Sequence, residues 1–146
     1  MSKSKQKGTA FETAVVGFLR DNGFPYAERA PLSGNKDRGD ITGTPGLAWE
    51  VKGGTTAKTA SDSLIHGWVV EASVEAANAR AEYGFLIVQR AQQNPRNWWA
   101  CLFAGDLARM LGAPEETHPA VPVRMRLVDL CHLLRITGWA DTKGQP

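Results

Sequence analysis

The chain has 146 residues, 42% of them apolar and 22% charged, with a formal net charge of +2. That length supports one domain with a real core and is short for two. The composition excludes a disordered chain, and no apolar run is long enough to cross a bilayer as a helix. Residues 1–146 are therefore read as a single domain, with a basic flexible tail at 1–6 and a second flexible tail at 141–146. The start, Met-Ser-Lys-Ser-Lys-Gln-Lys, lacks the apolar segment and cleavage site of a secretory signal, so a cytoplasmic location is expected.

From Lys7 to Asn22, apolar Ala10, Phe11, Ala14, Val15, Phe18 and Leu19 recur at three- and four-residue steps, the pattern of a helix with one buried stripe. Gly23 ends it. Glu12 lies in its early turns, where a carboxylate suits the helix dipole. Phe24 to Arg29 reads as a first strand, with Pro25 at its start. Pro31 to Gly39 is a loop in which Ser33 and Gly34 allow close backbone approach to a phosphate. Lys7, Arg29, Lys36 and Arg38 are the candidate phosphate contacts beside it.

Gly-Asp-Ile-Thr at 39–42 and Leu-Ala-Trp-Glu-Val-Lys at 47–52 have strand character, and Gly43, Pro45 and Gly46 supply the turn between them. Side chains alternate along a strand, so Glu50 and Lys52 share one face while Trp49 and Val51 share the other. If Asp40 lies beside Glu50, two carboxylates converge, and a hard divalent cation is the natural way to neutralise them.

After Lys52 a flexible Gly53-Gly54-Thr55-Thr56 connection is expected, then a long helix from about Ser61 to Glu82. Its buried face would carry Leu64, Ile65, Trp68, Val69, Ala72, Ala76 and Ala79, with Glu71 and Glu75 toward solvent. Tyr83 to Arg90 is a nearly continuous apolar run, as in a strand covered on both faces, and its terminal Gln89 and Arg90 are candidates for the substrate face. A strand at Trp98–Ala104, with one tryptophan buried and the other half-exposed, precedes a short helix at Gly105–Leu111. Gly112 to Pro122 is a loop, and Val123 to Ile136 a strand passing into a helix. Cys101 and Cys131, like the three histidines, show no metal-site spacing, and both thiols are expected to be buried.

Asp40 followed by Glu50-Val51-Lys52 resembles the Asp and Glu-x-Lys signature of the PD-(D/E)XK nuclease superfamily, with Gly39 in place of the proline. Together with Lys7-Gly8, Phe11-Glu12, Gly23-Phe24, Arg29 and Ser33-Gly34, the pattern is similar to the archaeal-type Holliday junction resolvases and their phage-encoded relatives, over roughly residues 7 to 90. The resemblance implies an α/β fold with a restriction-endonuclease-like αβββαβ core, a mixed central sheet flanked by helices. It implies catalytic roles for Glu12, Asp40, Glu50 and Lys52. Mg²⁺, or Mn²⁺ as a substitute, would be held by Asp40, Glu50 and the Val51 backbone carbonyl, with Glu12 reaching it directly or through water. The implied partner is branched DNA, above all the four-way junction, cut by a homodimer. Endonucleases acting on flap, branched or duplex DNA, and a non-catalytic DNA-binding module on the same fold, are the alternatives.

Overall fold

The computed structural model describes residues 3–31, 38–114 and 120–140, with side chains from residue 8 onward. Helix α1, Lys3–Asp21, begins ahead of the Lys7 start expected from its periodicity, and it buries Val15, Val16 and Leu19. Its end is closed by the N–H groups of Asn22 and Phe24, both donating to the Leu19 carbonyl at 3.0 Å, with Gly23 at a φ of +109°.

The first strand, β1, is only Glu28–Arg29, because Phe24 to Ala27 closes a turn instead, Ala27 N–H donating to Phe24 O at 3.1 Å. Strand β2, Ile41–Thr42, pairs antiparallel with β1. Strand β3, Leu47–Lys52, follows a turn anchored by Thr44, whose hydroxyl oxygen accepts from the Trp49 indole N–H at 2.9 Å. The expected β2–β3 hairpin does not form a ladder: β2 pairs with β1 in a separate two-stranded sheet, and β3 belongs to the larger one. The segment before β2 is tied to β3 by one backbone bond, Asp40 N–H to Trp49 O at 2.7 Å, and by the Asp40 side chain.

A short helix, α2 at Gly54–Lys58, stands where a flexible connection was expected, its first N–H held by Gln89 Oε1 at 2.7 Å. Helix α3, Asp62–Asn78, is capped by Ser61 as expected but stops short of Glu82. Arg80 turns left-handed at φ 55°, and Ala81 N–H reaches back to Ala76 O at 2.8 Å, a hydrogen-bonded stop.

Strand β4, Tyr83–Val88, runs parallel to β3, and every residue in it is buried. Strand β5, Trp99–Phe103, helix α4, Ala104–Met110, strand β6, Pro122–Arg126, and helix α5, Leu127–Ile136, complete the order. The result is a mixed α/β structure with a four-stranded mixed sheet, β3-β4-β5-β6, parallel at β3–β4 and antiparallel beyond. Helices α1 and α5 close one face over Trp49, Val51, Phe85 and Ile87; α3 closes the other over Leu86, Val88 and Cys101. Both cysteines are buried, and of the adjacent tryptophans Trp98 is buried and Trp99 half-buried.

Gly84 sets the seat of α3. A side chain there would bring its Cβ within 2.4 Å of the Ala72 carbonyl, so the missing side chain is what lets the helix lie directly on β4. Among the described residues, no helix is long and apolar enough to cross a membrane.

Candidate active site

Strand alternation places the central residues as expected. Trp49 is fully buried under α1 and α5, so Glu50, one residue on, emerges on the α3 side, where it is 6% exposed. Lys52 follows on the same side, its Nζ 3.3 Å from Glu50 Oε1 and 5.6 Å from the centre of the Trp68 ring.

Asp40 reaches this region from the hairpin. Its backbone N–H is fixed to Trp49 O, and its Oδ2 accepts from Val51 N–H at 2.9 Å. Gly39 makes the approach possible: φ is +100°, and a Cβ would sit 2.9 Å from Trp49 O. Proline, locked near φ −65°, cannot occupy this position.

Burial first, and then the charge of Glu50, pushes the Asp40 carboxyl up to about 7. Burial likewise pushes Glu50 up to about 8, helped by a hydrogen bond with Glu75 and by the charge of Glu75. These directions describe carboxylates crowded in a poorly hydrated place. On Lys52, burial acts downward, but Glu50 and Glu71 outweigh it and hold the ammonium above its ordinary value.

Glu75 corrects the sequence reading. Expected to face solvent, it is 8% exposed and lies against Glu50. Its position follows from the seat of α3: Ala72 and Ala76, on either side of it in the helical stripe, pack down beside Gly84 and carry Glu75 inward. Glu71, one turn earlier, is exposed as expected but turns toward Lys52, 3.5 Å from Nζ. A carboxylate interrupting a stripe of small residues was the visible signal for Glu75.

Glu50, Glu71 and Glu75 each present a carboxylate oxygen within 4.8 Å of the others. Asp40 is coupled electrostatically to Glu50 and is not one of these three. This region fits a hard divalent cation: its donors are all oxygen, its carboxylates repel one another, and Glu75 Oε2 is buried with no hydrogen-bond partner among the described residues.

The other expected site residues are more scattered. Glu12 is half-buried on α1, beside Phe11, whose ring packs under Gly53 just after Lys52; it does not join the carboxylate trio. Arg29 is half-buried on β1, and Arg38 is exposed immediately before Gly39. The Lys7 side chain, and Ser33 and Lys36 altogether, lie outside the described residues. Val51 enters the site through its N–H.

Comparison with family models, curated proteins and solved structures gives no match.

Proposed function

We propose that this chain is a metal-dependent endodeoxyribonuclease that hydrolyses phosphodiester bonds in branched DNA, with the four-way junction as its preferred substrate. The observation that carries the proposal is the convergence of Asp40 and Glu50, with Lys52 on the same strand face and in contact with Glu50. The resemblance of Asp40 and Glu50-Val51-Lys52 to a nuclease signature points the same way.

Asp40 and Glu50 would hold Mg²⁺, with Mn²⁺ able to replace it. Glu75 Oε2 and the Val51 carbonyl are further oxygen donors, and Glu12 acts through water. When bound, the ion supplies Lewis-acid activation of the scissile phosphate and of water. The chain's own groups do the rest. Val51 N–H orients Asp40 through Oδ2. Lys52, steered by Glu50 and Glu71, directs its ammonium at the negative charge that grows on the phosphoryl oxygens and helps align the attacking water. Arg29 and Arg38, with Lys7, Ser33 and Lys36, contact flanking phosphates and set the register of the strand without reading its sequence. Resolving a junction takes two nicks on opposing strands, so the acting species is a two-fold homodimer with one site per protomer.

The test is cleavage of end-labelled four-way junction, flap, duplex and single-stranded DNA in Mg²⁺ or Mn²⁺, with Asp40→Asn beside the parent. Paired nicks across the junction, lost in Asp40→Asn, are expected. Equal cutting of all substrates would remove the junction preference and leave the nuclease. DNA binding with no cleavage in either metal would replace the enzyme with a binding module.

A further inference from the structure

A second cluster of charge lies at the far end of the same sheet face. Across the strands, Lys52 stands in register with Val88, and Val88 with Trp99; Glu50 stands in register with Leu86, Leu86 with Cys101, and Cys101 with Arg124. Partners in register point to the same face, so the Trp99 ring and Arg124 share a face with the carboxylates. With strands about 4.8 Å apart, Trp99 lies about 10 Å across the sheet from Lys52.

Here a cavity of about 220 Å³ opens between α2 and the ends of β4 and β5. Its walls include Lys58, Arg90, Arg124, Gln89 and Trp99, and no carboxylate. The guanidinium carbons of Arg90 and Arg124 lie 4.0 and 4.5 Å from the centre of the one Trp99 ring. Among the described residues, none of the three cations has a carboxylate within ion-pair reach; Asp62 lines the adjoining cavity, to which Arg124 also contributes. Arg90 uses one Nη1 donor on the Asn97 carbonyl at 2.8 Å, leaving its others uncommitted.

A guanidinium packed on an indole keeps its N–H donors at the rim, where they fit the paired oxygens of a phosphate. Two such groups hold positive charge at one ring with no carboxylate among the cavity walls, and an anion at the rim of the ring would neutralise it. We propose that the cavity walled by Lys58, Arg90, Arg124 and Trp99 is a phosphate-binding subsite that grips the backbone of the DNA strand entering the Asp40–Glu50 site. This rests on the nuclease function proposed above and adds a place for the flanking strand. A separation of about 10 Å is within reach of the phosphates next to the scissile one. Trp99 is a positioning residue for the two arginines and not a platform for a base.

The experiment is anisotropy titration of a labelled oligothymidylate in EDTA, at low and moderate salt, with the parent, Arg124→Gln, Arg90→Gln/Arg124→Gln, Trp99→Leu and, as a control of equal charge change, Arg96→Gln. Arg124 is exposed on the edge strand β6, and among the described residues its side chain makes no hydrogen bond, so its variant tests the subsite even if the double variant folds poorly. The double variant is expected to bind about 10- to 100-fold more weakly, with the slope of log K against log salt reduced by about one to two. Arg124→Gln is expected to fall between the double variant and the parent, and Arg96→Gln to match the parent. Trp99→Leu, its charges intact, is expected to lose several-fold affinity with little change in slope. Parent-like affinity and slope in Arg124→Gln would overturn the subsite, as would equally tight binding of thymidine monophosphate or inorganic phosphate, since a strand grip needs the strand. Neither result touches metal-stimulated cleavage, which alone decides the nuclease reading.

Discussion

The two faces of strand β3 carry opposite kinds of chemistry one residue apart. Trp49 and Val51 enter an apolar layer where the Trp49 and Phe85 rings lie 4.9 Å apart and α1 and α5 shut out water. Glu50 and Lys52, interleaved with them, enter a layer whose helix is held close by small residues and brings two more carboxylates. The difference teaches that the first face fixes the strand and the second uses it. A one-residue slip in β3 would exchange them, so the apolar face is what keeps Glu50 on the functional side.

The strongest way to break this comparison is to remove the anchor. Trp49→Ala should cost about 3–5 kcal/mol in urea unfolding, from lost burial and the cavity left behind. A cost under about 1 kcal/mol would mean that the apolar face does not hold the strand. Gly84→Ala should come next. Its methyl would collide with the Ala72 carbonyl, lift α3, and lower stability by about 1–3 kcal/mol, while also weakening divalent-ion binding. Val70→Ser, on the exposed side of the same helix, should leave both nearly unchanged, within about 0.5 kcal/mol for stability.

Titration sharpens the comparison from the charged side. Asp40 and Glu50 have folded values of about 7 and 8 against ordinary values of 3.8 and 4.5, so between those limits the folded protein binds more protons than the unfolded chain. Their contribution to stability is therefore full below about pH 4 and lost as pH rises through 7 to 8. In EDTA the melting temperature of the parent should fall across that window relative to Asp40→Asn/Glu50→Gln, and added Mg²⁺ should reduce the fall. Parallel curves for the two proteins would contradict the burial of these carboxylates. Glu71→Gln should have an effect as small as that of Val70→Ser. This exposed partner of Lys52 should change stability by no more than about 0.5 kcal/mol.

Much of this was legible in the chain because it is local. The alternation of Trp49, Glu50, Val51 and Lys52 needs only a strand, and the turn at Gly43–Gly46 returns the chain so that Asp40, carried by Gly39, lies beside β3. Strand β1 was overestimated because a tight turn at Phe24–Ala27 consumed residues with strand character, and β2 starts only at Ile41, after Gly39 at a φ of +100°. Glu75 was missed for a different reason. Its burial depends on how closely α3 sits on β4, and that distance is set by Gly84, a residue outside the helix. The pairing of Arg90 with Arg124 over Trp99 was also out of reach, since it comes from cross-strand register between segments far apart in sequence.

The central claim is that the charged face of β3 is a divalent-ion site, and the most direct measurement is Mn²⁺ binding followed by electron paramagnetic resonance at neutral pH. The parent should bind Mn²⁺ in competition with Mg²⁺, Glu50→Gln should bind at least about 10-fold more weakly, and Glu75→Gln should fall between them. Mn²⁺ binding that is absent in the parent, or unchanged in Glu50→Gln, would contradict the account.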